Sequence, residues 1–261
     1  MVFGKSNFEK GVMRMDEYKR YGWRGKIGLI YPAPGLAGEI EFHRMAPEGV
    51  AILTTRVLLE KVTPEGLEKM TNYIEEASSL LSQAAPDVIA FGCTTGSLLK
   101  GVGYDKEIIQ RIETRVGVPA ITTSTAVIDS FKALKVKKVA VVTPYFCDEL
   151  NRREKAFLED SGFEVISIKS LKPADSHEME KPHTQYVRPE QMYKLAKETF
   201  TASADVMFIS CTGLGLIDII EVIESELERP VITSNQATMW AALRRINISD
   251  RISGLGKLFD K

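Results

Sequence analysis

Three apolar segments recur in the same order at nearly constant spacing, and no other feature of the chain restricts its fold as much. KIGLIYP (26–32) resembles KVAVVTP (138–144), with Lys26 and Lys138 lying 112 residues apart. PDVIAFGCT (86–94) resembles ADVMFISCT (204–212), which puts Cys93 and Cys211 118 residues apart. VPAITT (118–123) resembles RPVITS (229–234), with Pro119 and Pro230 separated by 111 residues. The chain therefore reads as two related halves, 26–137 with its tail exchanged and 138–250. An arm of residues 1–25 precedes them and a segment of residues 251–261 follows.

Each repeated segment is short, β-branched and almost continuously apolar, the pattern of a strand covered by helices on both faces of a parallel sheet. Helical stretches separate them. Between Glu65 and Ala84 the apolar residues Leu67, Met70, Ile74, Ala77, Leu80 and Leu81 recur at spacings of three and four, after an N-cap and first-turn pair Thr63-Pro64. Further helices are expected around 131–134, 151–158, 190–200 and 216–227. Alternation of strand and helix, twice over, predicts an α/β protein: two pseudo-symmetric doubly wound parallel-sheet domains with the active site between them. Ligands in such sheets bind outside the carboxyl ends of the strands. A pseudo-two-fold arrangement brings both sets of strand ends to one cleft.

Composition narrows the function. Lys plus Arg is 34 and Asp plus Glu is 35, so the chain has no basic footprint for nucleic acid. No apolar run approaches the roughly 20 residues that span a bilayer, and the N-terminus has no apolar core of the signal-peptide kind. The expectation is a cytoplasmic protein bound to neither membrane nor nucleic acid. Three cysteines at wide spacing do not form a disulfide framework, and no C-x-x-C or Cys/His cluster marks a metal site. His177 and His183 share one polar loop, read as solvated. No phosphate-cradling glycine motif occurs, so neither metal nor nucleotide cofactor is expected. The glycine-interrupted arm before Lys26 is read either as packing on a neighbouring subunit of a homo-oligomer or as a frayed tail.

The chemistry sits at two strand ends. Cys93-Thr94-Thr95-Gly96-Ser97 and Cys211-Thr212-Gly213-Leu214-Gly215 each follow an apolar strand with small residues. A helix starting in each segment surrounds the sulfur with backbone N–H groups and lowers its pKa. The same N–H and Thr hydroxyl groups can hold a substrate carboxylate. A lone cysteine is usually a small buried hydrophobe, and Cys147, which has no repeat partner, is read that way. Two cysteines at equivalent points of a duplicated unit are better explained as a reacting pair. Tyr145, at the end of the first strand of the second half, is a candidate donor to a carboxylate. Asn235 is a candidate for substrate binding or for capping the helix that follows. Pro32 and Gly35, in the rigid turn YPAPG (31–35), are placed on the pocket wall.

These motifs resemble the aspartate/glutamate racemase superfamily, in particular the branch of maleate cis–trans isomerases and arylmalonate decarboxylases. The resemblance runs from about Lys26 to the C-terminus through VTPEG (62–66), GCTTGSLLKG (92–101), 122–145, the Asn151 region, SCTGLGLID (210–218), SNQATMW (234–240) and GLGKLFD (254–260). It implies one active site between two α/β domains, without metal or cofactor. It also implies cysteines in both catalytic positions, as in isomerases and racemases; decarboxylases have glycine at the first and use the second as proton donor. Thr94, Thr95 and Tyr145 match positions that bind a carboxylate in the decarboxylases, and Thr212 offers its backbone N–H. Two positions depart. Pro32-Ala33-Pro34-Gly35 replaces the P-S-S-N stretch of the isomerases and is closer to the decarboxylase loop. Gly213 stands where glutamate racemases have histidine. The expected function is isomerisation or racemisation of a small, maleate-like carboxylic acid by Cys93 and Cys211. The alternatives are an arylmalonate-decarboxylase-like lyase with Cys211 as proton donor, and a non-catalytic protein that binds a small acid.

Overall fold

The computed structural model describes residues 20–172 and 183–261. Two four-stranded parallel sheets form the frame. The first takes β1 (Gly25–Pro32), β2 (Val50–Val57), β3 (Val88–Phe91) and β4 (Ala120–Thr122) in the order β2-β1-β3-β4. The second takes β5 (Lys138–Thr143), β6 (Glu164–Ser170), β7 (Val206–Ile209) and β8 (Val231–Thr233) in the order β6-β5-β7-β8. The two orders are the same order, so the repeat in sequence is a repeat in topology. β3 and β7 are buried at every position, which is why they read as unbroken apolar runs.

The periodic stretch 65–84 forms two helices, α2 (Pro64–Thr71) and α3 (Ile74–Ser82), rather than one. Thr63 caps the first, accepting the Gly66 N–H at 3.2 Å. The short α4 (Thr94–Leu98) follows β3, and α5 (Tyr104–Val116) leads to β4. α6 (Thr123–Ala133) sends Phe131 into the second half, where its ring meets Phe163 and Phe208 edge-on at 5.2 and 5.7 Å. α7 (Asp148–Asp160), α8 (Pro189–Thr199) and α9 (Ile220–Leu227) belong to the second half. α10 (Ser234–Arg245) packs on α6, on β3 and β4, and on α1 (Ala37–Met45). Both sheets thus direct their carboxyl ends to one seam.

The strands β2 and β6 and the helices α1 and α5 are not among the elements expected from the sequence. β2 (VAILTTRV) and β6 (EVISIKS) are sheet edges, each paired on one side only and half exposed, so neither is continuously apolar. Among the described residues no helix is long and apolar enough to cross a membrane. Residues 1–19 of the arm, and the loop around His177, lie outside the described residues.

Candidate active site

Cys93 and Cys211 each stand two residues beyond the last residue of a central strand, β3 and β7. Both line one cavity of about 470 Å³, its open mouth included. Tyr31, Thr94, Thr95, Tyr145, Thr184 and Thr212 supply the hydroxyl-bearing part of the wall. Pro32, Pro34, Gly35, Leu59, Val62 and Leu67 supply an apolar part. Among the described residues no Lys, Arg or His lines the cavity, and the polar groups that face it are N–H and O–H dipoles.

The two sulfurs have matching partners. Cys93 is the N-cap of α4, and its sulfur takes the Gly96 N–H at 3.4 Å, with the Thr95 hydroxyl also favouring the thiolate. The Cys211 sulfur takes the Gly213 N–H at 3.3 Å, and the Tyr145 hydroxyl plays the part of Thr95. No helix starts beside Cys211: the chain turns there, and α9 begins only at Ile220. These donors do not lower the thiol pKa values as the strand-end reading expects. Burial raises Cys93 to about 11 and Cys211 to about 12, despite the N–H and hydroxyl groups. Two or three dipoles do not offset loss of hydration at a fully buried sulfur. Cys211 is raised further by negative charge on Cys93. A thiolate at one sulfur therefore holds the proton on the other.

The hydroxyls of Thr94 and Thr212 are already engaged. Thr94 donates to Ser234 Oγ at 2.9 Å, and Thr212 donates to the Gly92 carbonyl at 3.1 Å. Ser234 also accepts the Cys211 N–H at 2.9 Å, tying the two cysteine loops together. What Thr94 and Thr95 can offer an acid is their N–H groups, which in the first turn of a helix have no intrahelical acceptor.

Asn235 is not on the cavity wall, and it does not cap α10. Thr233 is the cap. The Asn235 amide donates to Glu41 Oε2 at 2.7 Å and to the carbonyls of Leu214 and Thr212 at 3.1 and 3.2 Å. Its place is behind the Cys211 loop. Tyr31 reaches the same loop from the first half, donating to the Thr212 carbonyl at 2.8 Å and accepting the Gly38 N–H at 2.9 Å. Cys211 itself has φ of 117°, a conformation that costs a non-glycine residue of the order of 1–3 kcal/mol unless its surroundings impose it. Tyr31→Phe removes a buried donor and acceptor together. It is expected to destabilise the protein by about 1–3 kcal/mol, read as a lower urea midpoint at unchanged slope.

Sequence reasoning missed Leu59 and Val62, which follow the unrecognised β2. It also missed Thr184, placed in a loop read as solvated. Thr184 lies on the cavity wall against Gly213, where a Cβ would run into the Thr184 side chain. Glycine at 213 is thus a packing requirement as well as a departure from the racemase histidine.

Residues 27–259 match the family described as arylmalonate decarboxylase. The chain belongs to this family. It lies on the branch of the aspartate/glutamate racemase superfamily that arylmalonate decarboxylases share with maleate isomerases. It is 27% identical to the arylmalonate decarboxylase of Bordetella bronchiseptica over 238 residues, covering 90% of this chain and 96% of that one. It is 26% identical to the maleate isomerase of Nocardia farcinica over 243 residues, covering 89% and 94%. The crystal structure of a maleate isomerase from Pseudomonas putida superposes with a TM-score of 0.83 at 26% identity, covering 90% of this chain and 98% of that one. The arylmalonate decarboxylase family thus includes a chain with both cysteines at the strand ends.

Proposed function

We propose that this protein is a cofactor-independent isomerase or racemase of a small carboxylic acid, most like maleate cis–trans isomerase, with Cys93 and Cys211 as its reacting groups. The observation that carries this reading is the pair itself: two buried thiols on one cavity, each with an N–H and a hydroxyl on sulfur. Negative charge on Cys93 opposes negative charge on Cys211, so when one thiol ionises to attack, the other keeps its proton to deliver. The Cys93 thiolate adds to one alkene carbon of a cis-enedioic acid, forming a C–S bond. The π electrons move toward the adjacent carboxylate, and that carbon takes the proton of Cys211. Rotation about the new single bond follows. Cys211 then recovers its proton, the C–S bond breaks and the trans acid leaves. Charge and protons balance, so the site is regenerated without a co-reactant. Oriented N–H and hydroxyl donors stabilise the charge that develops on the carboxylate. The same two groups, one removing an α-proton and the other returning one, racemise a saturated acid.

The apolar wall from Pro32, Pro34, Leu59, Val62 and Leu67 favours a second reading. A malonate with an apolar substituent fits against it, and a protonated Cys211 can deliver a proton to the planar carbanion left by carbon dioxide. Proton NMR in heavy water, with maleate and separately with phenylmalonate, distinguishes the two. Fumarate from maleate is the expected result. Phenylacetate from phenylmalonate, with maleate unchanged, sinks the isomerase reading in favour of the lyase.

A further inference from the structure

Glu154 on α7 is a carboxyl group in an unusual place. It is fully buried, and neither of its oxygens has a hydrogen-bond partner among the described residues. The adjacent hydroxyl is that of Ser210, the residue before Cys211, which is equally buried and favours the charged carboxyl without closing a well-formed hydrogen bond to it. One turn earlier on the same helix, Asn151 accepts from Thr143 at 2.6 Å and donates to the Tyr145 carbonyl at 3.0 Å. The helix that carries Glu154 therefore also fixes the tyrosine that faces the Cys211 sulfur.

Among the described residues no cation answers this carboxyl. Its neighbour Arg153 turns away to Glu149 and the Leu99 carbonyl, and Lys155 pairs with Glu159. β6 and α4 pack on α7. The charged side chains of β6 are Glu164, paired with Lys138, and Lys169, which donates to the Glu198 carbonyl at the surface. α4 has no ionisable side chain. The titratable groups that sense the charge of Glu154 are Tyr145 and Cys211. In the first half, the position 112 residues earlier is Phe42 of α1, apolar and buried. The pseudo-symmetry of the two thiols is broken here.

We infer that Glu154 is a positioning residue that makes the two cysteines unequal: its charge opposes ionisation of Cys211 and leaves Cys93 the easier of the two to ionise. An unpaired buried carboxylate is costly, and burial moves Glu154 up to about 7. It is accordingly neutral in acid and charged in mild alkali. The sign follows from Coulomb's law at low dielectric: a negative Glu154 opposes a negative Cys211, so the bias grows as pH rises through the Glu154 transition. This inference rests on Cys211 being a reacting thiol. Its test reads the thiol directly and is decided whichever acid the enzyme turns over.

The test is alkylation by iodoacetamide between pH 5.5 and 9, with Cys93 and Cys211 followed separately by peptide mass spectrometry, in the wild type and in Glu154→Gln. In the wild type the ratio of the Cys211 rate to the Cys93 rate is expected to fall as pH rises. In Glu154→Gln that ratio stays flat, and Cys211 reacts about threefold faster or more at pH 9 while matching the wild type at pH 5.5. A constant factor between the two proteins at every pH indicates a merely structural carboxyl and overturns the inference. So does a wild-type ratio that does not change with pH, a result that needs no variant to fold.

Discussion

Turnover is expected to fall about a thousandfold or more in Cys93→Ala and in Cys211→Ala, because each removes a group that bonds to, or exchanges a proton with, the substrate. The pair acts as one unit, so the double variant is expected to be little worse than either single one. Stability should change far less. The N–H contact on each sulfur is long, at 3.4 and 3.3 Å, the other partner is a hydroxyl at the cavity, and alanine leaves a gap of one atom. The discriminating comparison is fumarate formation by NMR beside the urea midpoint of each variant. Loss of turnover with a preserved midpoint assigns the chemistry to the thiols. Turnover of a malonate that survives Cys93→Ala but not Cys211→Ala assigns the lyase reaction, since protonation of a carbanion needs only one donor. Full activity in either alanine variant removes the two-cysteine mechanism.

The largest effect on stability is expected at Glu41, which is 3% exposed. Its Oε1 accepts the N–H groups of Leu216 and Ile217 at 2.5 and 2.9 Å, and its Oε2 accepts the Asn235 amide at 2.7 Å. One carboxylate on α1 thereby holds the chain after Cys211 and the first turn of α10. Glu41→Ala leaves two buried backbone donors without an acceptor, at a cost of roughly 1–3 kcal/mol each. A total loss of about 2–5 kcal/mol is expected in urea unfolding, with a fall in turnover as the Cys211 loop relaxes. Glu41→Gln keeps the oxygen that serves both N–H groups but turns its own amide N–H onto the Asn235 amide, so it should restore only part of the stability. An alanine variant within about 0.5 kcal/mol of wild type means that this carboxylate does not clamp the loop.

Much of the architecture was legible because it repeats. Two β-branched runs that end in Cys-Thr, 118 residues apart, can be recognised without knowing what lies between them, since central strands of a parallel sheet are apolar on both faces. The edge strands are not so marked. Arg56 belongs to β2 and sends its guanidinium to Glu39 and to the carbonyls of Ala33 and Gly35. A charge inside a strand masks the strand in sequence, yet here it pins the turn that forms the apolar cavity wall. With β2 unread, Leu59 and Val62 were unread as well.

Local sequence fixed which residues stand at the strand ends, because strand periodicity and the small residues after each cysteine act over a few positions. It also bore the family resemblance, which is a property of motif order. What it did not determine is the electrostatic state of those residues. N–H donors beside a sulfur are visible in CTTG and CTG, but the depth at which the sulfur is buried depends on the opposite half, and burial outweighs the donors for both thiols. The part played by Asn235 likewise depends on Glu41, 194 residues away. Glu154 reads in sequence as one more charge on an amphipathic helix, and only the packing of α7 beside Ser210 makes it a buried acid. Short-range pattern sets which side chains reach the seam between the halves. Long-range packing sets their solvation, and solvation decides which of them carries charge.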